Sequence, residues 1–200
     1  MTNVIFNPWV GNEYNKQNNK IFVLGESHYD TTEQSGNTKK KEDNNFTKDI
    51  VKQYLKYKTG KNTNFERWMN TYTKFTNCIL DYNNVTKEKI VEFWNSIIFY
   101  NYIQKSLDKP RQKPKECYYK DSESAFIEVL DKYKPDKIIV WGKRLWDNLL
   151  KESIIYDKDS KKHFVTENKE KLHIEIFHIN HPSSRHFNYN YWKKLNIKLI

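Results

Sequence analysis

Four short apolar runs, at residues 21–24, 97–103, 137–141 and 172–179, are separated by longer stretches in which apolar residues recur at helical spacing. This alternation constrains the fold more than any other feature. A strand followed by a helix and another strand returns parallel to the first, with its crossover helix packed on the sheet. The expected architecture is therefore α/β: one domain with a central four-stranded, largely parallel sheet flanked by helices. A chain of 200 residues is long enough for one sizeable core and does not require a second.

The helical stretches have identifiable inward faces. Phe46, Ile50, Tyr54 and Tyr57 line a first; Phe65, Trp68, Met69, Tyr72, Phe75 and Ile79 a second; Ile90, Val91 and Trp94 a short third. Residues 121–124 form a capping sequence for a helix that buries Phe126, Val129, Leu130 and Tyr133 before Pro135 stops it. Residues 143–150 continue as a helix behind the third strand, and an aromatic, helix-like stretch follows the fourth. Residues 31–45 and 108–115 read as polar loops, and 157–171 as a hairpin or surface excursion. Apolar residues are few, so the 14 Tyr, 11 Phe and 6 Trp must supply much of the buried area.

A net charge of +10 attracts polyanions, and nucleic acid is the first partner to consider. A biased Lys-rich composition that merely solvates the surface explains the same number. Cys78 and Cys117 stand apart, with no spacing that suggests a zinc site, and are expected to be reduced. No secretory leader or membrane-length apolar run is evident, so a cytoplasmic protein is expected.

Candidate chemistry collects where strands end, because ligands of open α/β sheets bind outside the carboxyl ends of the strands. The first run leads into Gly25-Glu26-Ser27-His28-Tyr29-Asp30, and the last into His181-Pro182-Ser183-Ser184-Arg185-His186-Phe187. A carboxylate at Glu26 can orient water or balance a developing cation, or simply cap a helix; His28 and Asp30 share that ambiguity. Asn101 is an amide inside an apolar run. It either reads the edge of a pyrimidine, which presents both donors and acceptors, or bonds neighbouring backbone. His181, followed by proline and two serines, can donate to an oxygen that gains charge as a bond breaks.

These blocks, in this order, resemble the uracil-DNA glycosylase superfamily. Gly25-Glu26-Ser27-His28-Tyr29 is similar to its first motif, His181-Pro182-Ser183 to its second, and Phe99-Tyr100-Asn101-Tyr102-Ile103 with the following Lys109-Pro110-Arg111 and Lys113 to its base-reading strand and basic continuation. Residues 134–142 resemble its third strand, so the likeness spans about residues 20 to 195. It implies a monomeric, monofunctional DNA glycosylase acting on an extruded uracil or modified pyrimidine, in repair or in defence against phage DNA. On this likeness Glu26 or Asp30 handles the water and His181 stabilises the leaving base. Asn101, Tyr29, Phe46 and His28 form the base pocket, with Phe65 the competitor for the stacking role of Phe46. Ser183, Ser184, Arg185, Phe187, Lys109, Arg111 and Lys113 meet DNA.

The chain also departs from the family. Ser27 and His28 stand where the classical motif has aspartate and proline, and Arg185 replaces the expected leucine wedge. Two cysteines cannot hold the four-cysteine iron–sulfur cluster of one branch, so no cofactor and no metal are expected. The alternatives are a catalytically inactive DNA-binding module of the same fold and a hydrolase of free nucleosides or nucleotides.

Overall fold

A computed structural model describes residues 3–29, 43–80, 85–109, 111–149, 154–158, 162–167 and 170–188. The strands are β1 (Trp9–Val10), β2 (Ile21–Gly25), β3 (Ile97–Asn101), β4 (Lys137–Trp141), β5 (Ile154–Asp157), β6 (Lys162–Glu167) and β7 (Glu170–Ile179). The helices are α1 (Phe46–Lys58), α2 (Met69–Ile79), α3 (Lys87–Ser96), α4 (Glu116–Asp121), α5 (Glu123–Tyr133) and α6 (Lys143–Asn148). The fold is α/β, with one mixed sheet in the order β1-β3-β2-β4-β7-β6-β5.

The four anticipated runs supply β3, β2, β4 and β7, which are mutually parallel neighbours. The sheet is nevertheless seven-stranded, which corrects the expectation of four. The two-residue β1 adds antiparallel to β3, and the stretch expected as a hairpin or excursion over 157–171 supplies β6, which pairs antiparallel with β7 on one side and with β5, which leads into that stretch, on the other. Strands β1 and β5 are the two sheet edges and are too short to stand out as apolar runs, while β6, between β5 and β7, is largely polar in sequence and gives Val165 to the core. Antiparallel additions also need no crossover helix to announce them.

All five residues of β2 and of β3 are buried, as expected for parallel strands covered on both faces. Alternation along the strands divides them between two cores. Phe22, Leu24, Ile98, Tyr100, Ile138, Val140, Ile174 and Ile176 face Phe126, Val129, Leu130 and Leu145 of α5 and α6. Ile21, Val23, Ile97, Phe99, Ile139, Trp141 and Ile179 face α1, α2 and α3. The second core is aromatic: the Tyr72 ring lies 5.3–5.7 Å from those of Phe99, Trp94, Trp68, Trp141 and Tyr54.

Several boundaries differ from the sequence reading. The second helix begins at Met69, so Phe65 is 49% exposed and rests on the Tyr57 ring at 5.6 Å. Strand β3 stops at Asn101, and the chain beyond it stays beside the segment that follows β2, with a parallel bridge between Leu107 and Tyr29. Ser122 does not cap α5 with its side chain; its hydroxyl donates to the Tyr118 carbonyl and accepts from the Gln104 amide. Helix α5 ends at Lys134, whose φ of 43° is the left-handed turn that commonly closes a helix before proline. The polar residues 30–42 and the aromatic stretch after 188 lie outside the described residues. Among the described residues no helix is long and apolar enough to cross a membrane.

Candidate active site at the carboxyl ends of the parallel strands

Strand β2 is followed by α1–α3 on one face of the sheet, and its neighbour β3 by α4 and α5 on the other. The chain runs from β2 to β3 on one side and then crosses to β4 on the other, with α6 after β4 on the face opposite α1–α3. The switch point, at whose crevice open α/β sheets bind ligands, therefore falls at the carboxyl ends of β2 and β4. The turn after β2 is tied to the segment after β3 by three backbone bonds: Tyr102 N–H to the Gly25 carbonyl, Ile103 N–H to Glu26 and Leu107 N–H to His28, each 2.9 Å. Glu26, Ser27, His28 and Tyr29 are therefore held beside Asn101.

Gly25 pairs with Asn101 across the two strands. A Cβ at position 25 would lie 2.2 Å from Asn101 Oδ1, so only glycine lets the amide lie back over β2. Asn101 Nδ2 sits 3.1 Å from Nε2 and 3.2 Å from Nδ1 of His28. Being almost equidistant from both nitrogens, the amide lies across the ring and not in line with one lone pair. His28 Nε2 is also 2.8 Å from the Thr47 hydroxyl. Its ring centroid lies 4.4 Å from that of Phe46 and 5.0 Å from that of Phe6. Burial pushes the imidazole down to about 3, so it is neutral at ordinary pH.

The other half of the site is ionic. Glu26 is buried, and its Oε1 accepts from the Tyr119 hydroxyl at 2.7 Å and from Arg144 Nε at 2.8 Å. A second guanidinium nitrogen of Arg144 donates to Oε2, which completes a two-pronged ion pair. This pairing holds the Arg144 guanidinium above its ordinary range, and burial followed by the Glu26 charge raises the Tyr119 hydroxyl. Tyr29, half-buried, acts electrostatically on the same guanidinium.

His181 stands two residues beyond β7, with its ring 6.0 Å from that of Trp141 at the end of β4. Its Nδ1 accepts the Ser183 backbone N–H at 3.1 Å and is 2.8 Å from the Ser183 hydroxyl. That assigns the ring proton of the neutral tautomer to Nε2, which remains able to donate. Burial lowers the ring to about 4; the Glu26 charge opposes this and the Arg144 charge assists it. Glu26, Arg144 and His181 therefore share one electrostatic environment. Gly142, at a φ of 95°, brings the chain against His181: a Cβ there would stand 3.3 Å from the His181 Cβ.

Three buried polar atoms lack a partner among the described residues: the Ser27 hydroxyl, the Tyr100 hydroxyl and Trp141 Nε1. All three belong to the carboxyl ends of β2, β3 and β4 or to the turn directly after. Unsatisfied buried groups are uncommon in folded proteins; of these three only the Ser27 hydroxyl lies in the turn itself, whereas the Tyr100 and Trp141 side chains pack into the two cores.

The remaining expected site residues divide by position. Ser183, Ser184 and Arg185 lie in a compact loop closed by Ser184 N–H to the His181 carbonyl at 2.7 Å, with Arg185 Nε on His186 Nε2 at 3.0 Å. Phe187 is half-buried and packs against the aromatic core, which anchors this loop. Lys109, Arg111 and Lys113 are exposed on the segment after β3, and Lys105 and Lys115 both approach the Tyr118 ring, at 4.8 and 5.9 Å. Asp30 lies outside the described residues. Phe46, not Phe65, is the aromatic residue at the site.

Arg144, Tyr119, Gln104 and Phe6 were not legible as site residues. Gln104 accepts the Ile5 and Phe6 backbone N–H groups, both at 2.9 Å, and donates to the Asn101 carbonyl at 2.9 Å, which brings Phe6 over His28. One signal for Arg144 does exist. Lys143 and Arg144 open α6, where the helix dipole disfavours cations, so a compensating anion is implied.

The chain matches no family model, and no characterised protein is significantly similar to it in sequence.

Proposed function

We propose that the protein is a monofunctional DNA glycosylase that hydrolyses the N-glycosidic bond of uracil or a modified pyrimidine extruded from DNA, with a fold of the uracil-DNA glycosylase kind. The observation that carries this reading is the gathering of Glu26, Asn101 and His181 at one sheet edge, with a neutral His181 whose Nε2–H is free to donate. The four sequence blocks that resemble the superfamily are the same ones that meet there. A basic segment after β3 suits phosphate contacts beside the crevice.

In this mechanism the C1′–N bond breaks, the sugar becomes cation-like, and the base departs with the bonding pair. His181 Nε2–H donates to the base oxygen on which charge collects; a neutral donor does this without a prior proton transfer. Asn101 reads the base edge with its amide. Glu26 accepts three hydrogen bonds and is matched by a guanidinium, so its suited role is orienting water and balancing the sugar cation, not abstracting a proton. Water then adds to C1′, its surplus proton passing to the departed base anion through solvent, and leaves an abasic site and the neutral base. A target in phage DNA, and hence a defence role, stands beside uracil repair.

Duplex and single-stranded oligonucleotides carrying uracil, hypoxanthine, 5-hydroxymethylcytosine or its glucosylated form, scored by alkaline cleavage, test this. Abasic product from at least one is expected; none from any refutes the reading. The Glu26–Arg144 pairing favours one competitor, a DNA-binding module without catalysis. Loss of turnover with retained DNA binding in Glu26→Gln supports the enzyme, whereas DNA retention without wild-type turnover supports the module.

A further inference from the structure

The position that a flipped base would take on Phe46 and Asn101 is filled by the protein's own ring. His28 lies against both the tilted Phe46 ring and the Asn101 amide, meets Phe6 edge to face and is bonded to Thr47. It is 5% exposed. An aromatic ring and an amide are the contacts by which a planar heterocycle is recognised.

We propose that His28 is the specificity-determining residue of this site: its imidazole occupies the base slot, and a base binds there only by displacing it. The proposal rests on the reading of Asn101 and Phe46 as base-binding residues. It follows from the match between what His28 satisfies and what it leaves open. The imidazole engages only the donor half of the Asn101 amide, while Oδ1 lies against Gly25. The adjacent Ser27 hydroxyl stays unpartnered among the described residues.

A nucleobase that offers both a donor and an acceptor on one edge replaces the off-axis Nδ2–imidazole contact with an in-line bond and adds a bond donated to Oδ1. A ring that offers neither recovers nothing. The occupant therefore discriminates between ligands through the contacts each must replace, a form of selection by exclusion. The backbone on either side of His28 is pinned by the Glu26–Ile103 and His28–Leu107 bonds, so displacement requires rotation of the side chain and no refolding of the strand.

A site that is self-occupied most of the time shows a weakened apparent affinity, and removing the occupant restores it. Free uracil, cytosine and adenine are the probes, titrated calorimetrically against the wild-type chain and His28→Ala. His28→Ala is expected to bind uracil or cytosine at least about tenfold more tightly than wild type. Further substitution of Asn101→Ala is expected to abolish the gain. Equal affinity in wild type and His28→Ala overturns the proposal.

A second measurement does not depend on a variant that folds. The His28 ring signals of the wild-type chain, shifted by Phe46 and Phe6, should move toward solvent values when one of the tested oligonucleotides binds. If no oligonucleotide moves them, the proposal fails. Base binding by His28→Ala without cleavage of any DNA would leave the slot standing and remove the glycosylase reading. Cleavage by a wild type whose His28 never moves would do the reverse.

Discussion

Acid should destabilise this protein through His28, and the size of the effect follows from its burial. The imidazole has an ordinary value of 6.5 and is lowered to about 3 by desolvation. Between those values the unfolded chain binds a proton that the folded chain refuses, so stability rises with pH across that window. The contribution is fully present above about 6.5 and is lost as the pH falls toward 3. From about pH 8 to about pH 4.5 the loss from this one ring amounts to roughly 2.5 kcal/mol.

The perturbation that isolates it is His28→Phe, which keeps a ring against Phe46 and Asn101 but cannot titrate. Urea denaturation of both proteins across that pH range gives the difference in unfolding free energy, in which carboxylates and the other histidines cancel. The wild type should lose about 2–3 kcal/mol relative to His28→Phe on acidification. A difference that stays constant with pH would refute the placement of His28 as a buried neutral ring, and with it the occupied slot.

Three further outcomes test other parts of the site. Arg144→Met removes the cation from a buried carboxylate while leaving Tyr119 in place; since Arg144 is 40% exposed, the expected loss is about 1–3 kcal/mol by thermal or chemical denaturation, below that of a fully buried pair. Gly25→Ala drives a methyl group into Asn101 Oδ1 and should lower stability by about 1–3 kcal/mol and abolish base-dependent activity, while Gly60→Ala, at a positive φ but meeting only the flexible Lys87 Nζ at 3.8 Å, should spare activity. Replacing Lys109, Arg111 and Lys113 by Gln should weaken DNA binding for all sequences alike and reduce the salt slope of log affinity by about one per charge removed; an unchanged slope would place the DNA elsewhere.

Much of this architecture is written in local patterns. The runs that became β2, β3 and β4 are apolar on both faces because helices cover both, and that continuity identifies a parallel strand without reference to its neighbours. Strand β7 was legible instead from the alternation of Leu172, Ile174 and Ile176 with His173 and Glu175. Gly25-Glu26, Asn101 and His181 were legible as candidates because each interrupts or ends such a run with a residue the core does not need. The short edge strands β1 and β5 were not, since a strand of two to four residues leaves no strong hydrophobic period, and β6 was anticipated only as part of a hairpin or excursion.

What the chain alone determined is the set of polar residues delivered to one sheet edge. Only the tertiary structure decided how they combine. Arg144 and Tyr119 reach Glu26 across separations of 118 and 93 residues, a pairing that no local spacing encodes. His28, one residue of a polar turn, is neutral and buried because Phe6, Phe46, Thr47 and Asn101 arrive around it from three other parts of the chain. Burial is a property of the assembled layers, and the ionisation and partners of a side chain follow from burial.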